Sequence, residues 1–111
     1  NLVMVTGDDP VKAVYTLKDY IVHTHAKDGR RLYERSPEEI YKVVESELKH
    51  EKSFIELPLG SGDVDFKSYL AALDDIGYRG FLTIEREVGD DPEKDINDAK
   101  VYLENIIKGE N

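Results

Sequence analysis

Gly77-Tyr78-Arg79-Gly80-Phe81-Leu82-Thr83-Ile84-Glu85-Arg86-Glu87 is the stretch on which the fold turns. Phe81 to Glu85 is short, apolar and β-prone until its last residue, the pattern of a buried strand that ends on a carboxylate. Before it, Phe66, Tyr69, Leu70, Leu73 and Ile76 recur at helical spacing, which predicts a helix over 65–76. Gly77 stops that helix in the left-handed region. After the strand, Gly89-Asp90-Asp91-Pro92 opens a last helix. Ile96, Ala99, Leu103, Ile106 and Ile107 form its apolar face, and Gly109 ends it.

Toward the N-terminus the same alternation continues. The chain opens apolar at Leu2 to Val5, then turns at Thr6-Gly7-Asp8-Asp9-Pro10 into a helix capped by Asp9. Val11, Val14, Tyr15 and Leu17 give that helix its apolar face. Tyr20-Ile21-Val22-His23-Thr24-His25 is a short β-rich run, and Ala26 to Arg35 reads as a long polar, basic loop. Ser36-Pro37-Glu38-Glu39 is a capping-box start for a helix carrying Ile40, Val43, Val44 and Leu48. Phe54 to Leu57 is a brief extended piece, broken by Pro58 and followed by a turn at Gly60-Ser61-Gly62. Strands alternating with helices argue for an α/β chain of βα units around a parallel sheet. Gly-Asp-Asp-Pro at Gly7 and again at Gly89 reads as a faint βα repeat, or as capping chemistry arrived at twice.

The 111 residues set one domain, 1–111, with a modest core. A hydrophobic content of 40%, a charged content of 35% and a mean hydropathy of −0.53 describe a globular rather than a disordered chain. The net charge of −9 repels nucleic acid and anionic membranes. With no cysteine, disulfides and thiolate metal sites are excluded, which fits a cytoplasmic protein. No apolar run approaches the roughly 20 residues that span a bilayer.

Chemistry concentrates at two strand ends. His23 and His25 alternate onto one side of their strand, and Lys27 continues that side. Two imidazoles and an ammonium there are costly unless they serve a polar site or are hydrogen-bonded at the sheet end. Glu85 points to the same end of its own strand, as an active-site carboxylate or as a rim residue paired with Arg86. A histidine and a glutamate from separate strand ends make a plausible hard-metal pair. Gly60-Ser61-Gly62 matches no phosphate-binding fingerprint and reads as a turn. The glutamates at 38, 39, 45 and 47 read as a solvated helix face.

Three segments in order resemble the xylose isomerase-like sugar phosphate isomerase/epimerase family: residues 21–29, residues 58–66 and residues 77–87. The resemblance covers essentially the whole chain. It implies the C-terminal half of a (β/α)8 TIM barrel, with one divalent ion (Mn, Mg, Co or Zn) held by Glu, Asp, His and Glu from four strand ends. It assigns the metal histidine to His25 and the last metal glutamate to Glu85, which also becomes the catalytic acid/base. It places Arg31 toward substrate, has His23, Lys27 and Asp28 line or brace the pocket, and brings Arg86 toward substrate. The family's first Glu and its Asp are expected upstream of Asn1, so this chain alone holds half of the ligand set.

The resulting expectation is part of a metal-dependent sugar or sugar phosphate isomerase/epimerase. Its partner is either the N-terminal half of a barrel or a second copy of the chain. The rival readings are a non-catalytic half-barrel that self-associates, a dehydratase or lyase using the same metal site, and a DNA-repair endonuclease. Three histidines and the acidic charge weigh against the last.

Overall fold

The computed structural model describes residues 1–34 and 53–109. A π-helical turn, Leu2–Thr6, is followed by α1 (Pro10–Thr16), β1 (Thr24–Ala26), β2 (Asp28–Arg31) and β3 (Phe54–Leu57). Then come α2 (Phe66–Asp75), β4 (Leu82–Ile84) and α3 (Pro92–Ile107). The predicted helix starting at Ser36 lies outside the described residues. The architecture is mixed α/β with a parallel pair, and among the described residues no closed barrel forms, consistent with a partial barrel.

The helix ends follow their sequence signals. Asp9 accepts a hydrogen bond from the Val11 amide at 2.9 Å, with Pro10 opening α1. Asp65 accepts from the Ser68 amide at 3.1 Å and its hydroxyl at 2.7 Å, so α2 starts at Phe66. Gly77 takes φ 79° just past α2, where a side chain would be strained. Asp91 accepts from the Lys94 amide at 3.1 Å and Pro92 opens α3. The two Gly-Asp-Asp-Pro copies therefore perform the same capping, but the first follows the π-helical turn rather than a strand. The apparent repeat is capping chemistry.

β1 and β4 pair in parallel, with Thr24 opposite Leu82 and Ala26 opposite Ile84. One face of this pair packs on the helices. Ala26, Phe66 and Leu103 form a buried cluster, joined by Leu82 and Ile84 from β4 and by Tyr102 from α3. Phe66 meets Tyr69 and Tyr102 edge-on, with ring centroids at 6.3 and 6.0 Å, a favoured aromatic geometry. A neighbouring cluster of Val14, Ala72 and Leu73 seats α1 against α2.

Three expectations change. The strand expected over 20–25 is confined to Thr24–Ala26, because β4 offers only three residues of ladder. Tyr20 and Val22 are left largely exposed. The loop expected over 26–35 contains β2, which pairs antiparallel with β3 from Asp28–Leu57 to Arg31–Phe54. Its polar composition misled the reading, since its ladder and the burial of Asp28 outweigh β propensity. Along the terminal helices, Tyr15, Leu17, Ile96 and Ile107 point outward, while Val14, Ala99 and Leu103 are buried.

Candidate active site

The face of the β1–β4 pair turned away from the helices is polar. Thr24 and Ala26 face the core, so His23, His25 and Lys27 share the opposite side, as alternation requires. Thr83 and Glu85 join them from the β4 side, and the Glu85 amide extends the ladder by donating to Ala26 O at 3.0 Å. His25 Nδ1 lies 3.1 Å from Glu85 Oε2. His23 Nε2 lies 3.0 Å from Thr83 Oγ1. The two imidazoles meet edge to face at 5.2 Å. The residues singled out from the sequence therefore converge across two strands that are sixty positions apart in the chain. Beside them a cavity of about 280 Å³ is bounded in part by Val3, Val5, His25, Lys27, Phe66 and Tyr69.

Lys27 is the hub of the charge arrangement. Its ammonium lies 3.4 Å from Glu56, 3.6 Å from Glu85 and 3.3 Å from Glu87. Burial alone would lower its pKa, but Glu85, Glu87 and Glu56 together raise it above the usual lysine value. Glu85 is held below its ordinary value, with the neighbouring Glu87 side chain the first cause. Burial opposes this, and Lys27 and His25 add to it. Glu85 is thus an ionised carboxylate with His25 on one oxygen and Lys27 on the other.

Behind this pair, Arg86 is committed to Glu56 and Asp95, each at 2.7 Å, and its side chain is only 8% exposed. Arg31 donates from Nη1 to the Thr6 carbonyl at 3.0 Å, which ties β2 to the π-helical turn. Its Nε is buried with no hydrogen-bond partner among the described residues.

Glu56 and Asp95 were missed from the sequence. Glu56 had a signal: a lone acid inside Phe54-Ile55-Glu56-Leu57 must be paired if it is buried. Asp95 had none, since acids in a first helical turn are ordinary.

Asp28 is fully buried and its carboxylate is saturated by main chain. Oδ1 accepts from the amides of Gly29 at 2.8 Å and Val64 at 3.1 Å. Oδ2 accepts from Gly60 at 2.9 Å and Gly62 at 3.0 Å. The glycine turn is therefore a cradle for an internal carboxylate. Gly62 is required, because a Cβ there would run into Asp28 Oδ1 and the Gly29 carbonyl.

An imidazole nitrogen and a carboxylate oxygen 3.1 Å apart suit adjacent positions on a divalent ion. Among the described residues no group of three or more His, Cys, Asp or Glu is placed to hold a metal. The pair would supply two ligands to such an ion.

A family model described as xylose isomerase-like TIM barrel matches residues 1–106. The chain belongs to this family. Within the xylose isomerase-like barrels, it is similar to a rhizopine catabolism protein, MocC, of Rhizobium meliloti. The two are 31% identical over 110 residues, covering 93% of this chain and 31% of that protein. An inosose dehydratase of Lacticaseibacillus casei is 32% identical over 91 residues, covering 82% of this chain and 29% of that protein. Among solved structures, a xylose isomerase domain protein from Planctomyces limnophilus superposes with a TM-score of 0.73 at 32% identity. That match covers 98% of this chain and 36% of the other. The chain thus spans about a third of the length of these relatives.

Proposed function

We propose that this chain is the C-terminal part of a metal-dependent enzyme that moves a proton at the carbon beside a carbonyl of a small sugar, sugar phosphate or related polyol. The reaction proposed first is isomerisation or epimerisation. The observation that carries this reading is the contact of His25 and Glu85 on the polar face of β1 and β4. His25 and Glu85 would hold the divalent ion, which supplies polarisation of the substrate carbonyl when bound.

The chain's own groups do the rest. Glu85, kept ionised, accepts the proton from the carbon next to the carbonyl; its delivery to the neighbouring carbon gives the isomer, and delivery to the opposite face of the same carbon by an acid on the opposing wall gives the epimer. Lys27 and His23 present donors to substrate oxygens on the same face, and Arg31 is the further substrate contact. Arg86 serves from behind, through Glu56. The other ligands and the opposing wall come from an N-terminal half or a second copy of the chain. A cytoplasmic setting goes with this reading; among the described residues no helix is long and apolar enough to cross a membrane.

Dehydration is the second reading, favoured by relatives named inosose dehydratase. Loss of water next to a carbonyl begins with the same proton removal, so Glu85 would keep its role and only the fate of the carbanion equivalent would change.

The test is made in the intact barrel containing this segment, using inosose and simple ketoses as probes. His25→Ala should lower divalent-metal occupancy. Glu85→Gln should lower it too, and should slow solvent-deuterium entry into the probe by on the order of 10²–10⁴. Unchanged metal content and unchanged exchange in both variants would sink the assignment. Deuterated isomer as product supports the first reading, and loss of water supports the second.

A further inference from the structure

We infer that Glu56 is a positioning residue for the proton-transfer site: anchored by Arg86, it holds the Lys27 ammonium against Glu85. The inference rests on the reading of Glu85 as the acid–base group.

Glu56 lies in an apolar strand and its side chain is only 6% exposed. A carboxylate so placed is strongly unfavourable unless its oxygens are filled. Arg86 Nη1 fills one oxygen at 2.7 Å, and the Glu87 amide approaches both at 3.2 and 3.3 Å. The guanidinium is itself pinned on its other side by Asp95 from the first turn of α3. Glu56 therefore cannot swing.

Lys27 is held differently. Its three carboxylate distances, 3.3 to 3.6 Å, all exceed the roughly 2.7–2.9 Å of a committed charge-assisted bond. The ammonium is shared among three acids rather than locked to one. Of the three, Glu87 is the exposed partner at 64% and Glu56 the buried one. Glu56 is thus the contact that keeps Lys27 inside, facing Glu85 Oε1, while His25 takes Oε2. Without the charge of Glu56, Lys27 follows the exposed Glu87 outward, and Glu85 keeps His25 alone.

The first measurement uses the chain itself. The Lys27 ammonium should give a distinct, slowly exchanging proton–nitrogen NMR signal that Glu56→Gln abolishes. Asp74→Asn, at an exposed pair with Arg79, should leave that signal intact. If Glu56→Gln does not fold, Glu56→Asp keeps the charge near Arg86 but withdraws it from Lys27, and serves the same comparison.

The second is a double-mutant cycle in the intact enzyme, read on kcat with whichever probe, inosose or a simple ketose, the unmodified enzyme turns over. Glu56→Gln and Lys27→Met should each lower kcat on the order of tenfold to a hundredfold with little change in KM. The double variant should match Lys27→Met alone. A Lys27 signal unmoved by Glu56→Gln, or effects that multiply in the double variant, would overturn the inference. Absence of turnover in the unmodified enzyme would instead count against the proposed function, and the NMR comparison would still decide the role of Glu56.

Discussion

Asp28→Asn should be far more damaging than its near-identity of shape suggests. The carboxylate divides its work evenly, two amides on each oxygen. Asparagine has one oxygen and one NH2, so either orientation of the amide sets an NH2 donor against two backbone N–H donors. Each stranded, buried donor costs about 1–3 kcal/mol. The amide will orient to keep the buried Gly29 amide paired and leave Gly60 and Gly62, nearer solvent, to find water. The expected loss is therefore in the lower part of the range, ~3 kcal/mol, a large share of the roughly 5–15 kcal/mol of a typical domain. Urea unfolding of both proteins at pH 7 measures it, and an unchanged m-value would show that the folded and unfolded states are otherwise alike. Amide hydrogen exchange supplies the pattern: Gly60 and Gly62 should exchange much faster, while Gly29 and Val64 stay protected. A midpoint shift worth less than ~0.5 kcal/mol, or uniform exchange at all four amides, would refute the reasoning.

Two glycines test whether a turn is restricted by contact or only by its backbone angle. Gly62→Ala meets Asp28 and the Gly29 carbonyl and should lower stability by at least ~2 kcal/mol. Gly77→Ala meets nothing within 4 Å and should cost only the left-handed strain, about 1–2 kcal/mol, in the same thermal or urea assay. The Asp65 cap carries a pH signature, since its hydrogen bonds to Ser68 depress its pKa in the folded chain. Its stabilisation is then present above the unfolded aspartate value of about 3.9 and lost as pH falls through the lower folded value. Asp65→Ala should cost ~1 kcal/mol at pH 7 and progressively less as the pH is lowered below the unfolded aspartate value, as a series of urea titrations would record.

The parts of the fold written in local chemistry could be read directly. Asp9-Pro10 caps its helix as expected, and the helices at Asp65 and at Gly89-Asp90-Asp91-Pro92 begin within a residue or two of where the sequence places them, because a cap needs only its own first turn. The pairing of His25 with Glu85 was legible through strand alternation and through the family resemblance. What escaped was set by partners distant in sequence. Asp28-Gly29-Arg30-Arg31 has no strand propensity of its own and becomes a strand because Phe54 to Leu57 lies beside it. Gly60-Ser61-Gly62 announced a turn but not the carboxylate it wraps. The partners of Arg86 were not legible either: Glu56 lies thirty positions away, and Asp95, only nine positions on, is an ordinary acid of a first helical turn.

The parallel pairing of β1 with β4 has a kinetic consequence. Its two strands meet only after a long stretch of chain has been drawn together, an entropic toll that helices and hairpins escape. Such contacts form late on the folding route. The helices can be in place while the imidazole and the carboxylate are still strangers. Weakening that pair would then hasten unfolding more than it would slow folding. The site would also be the first region to open when the native chain breathes.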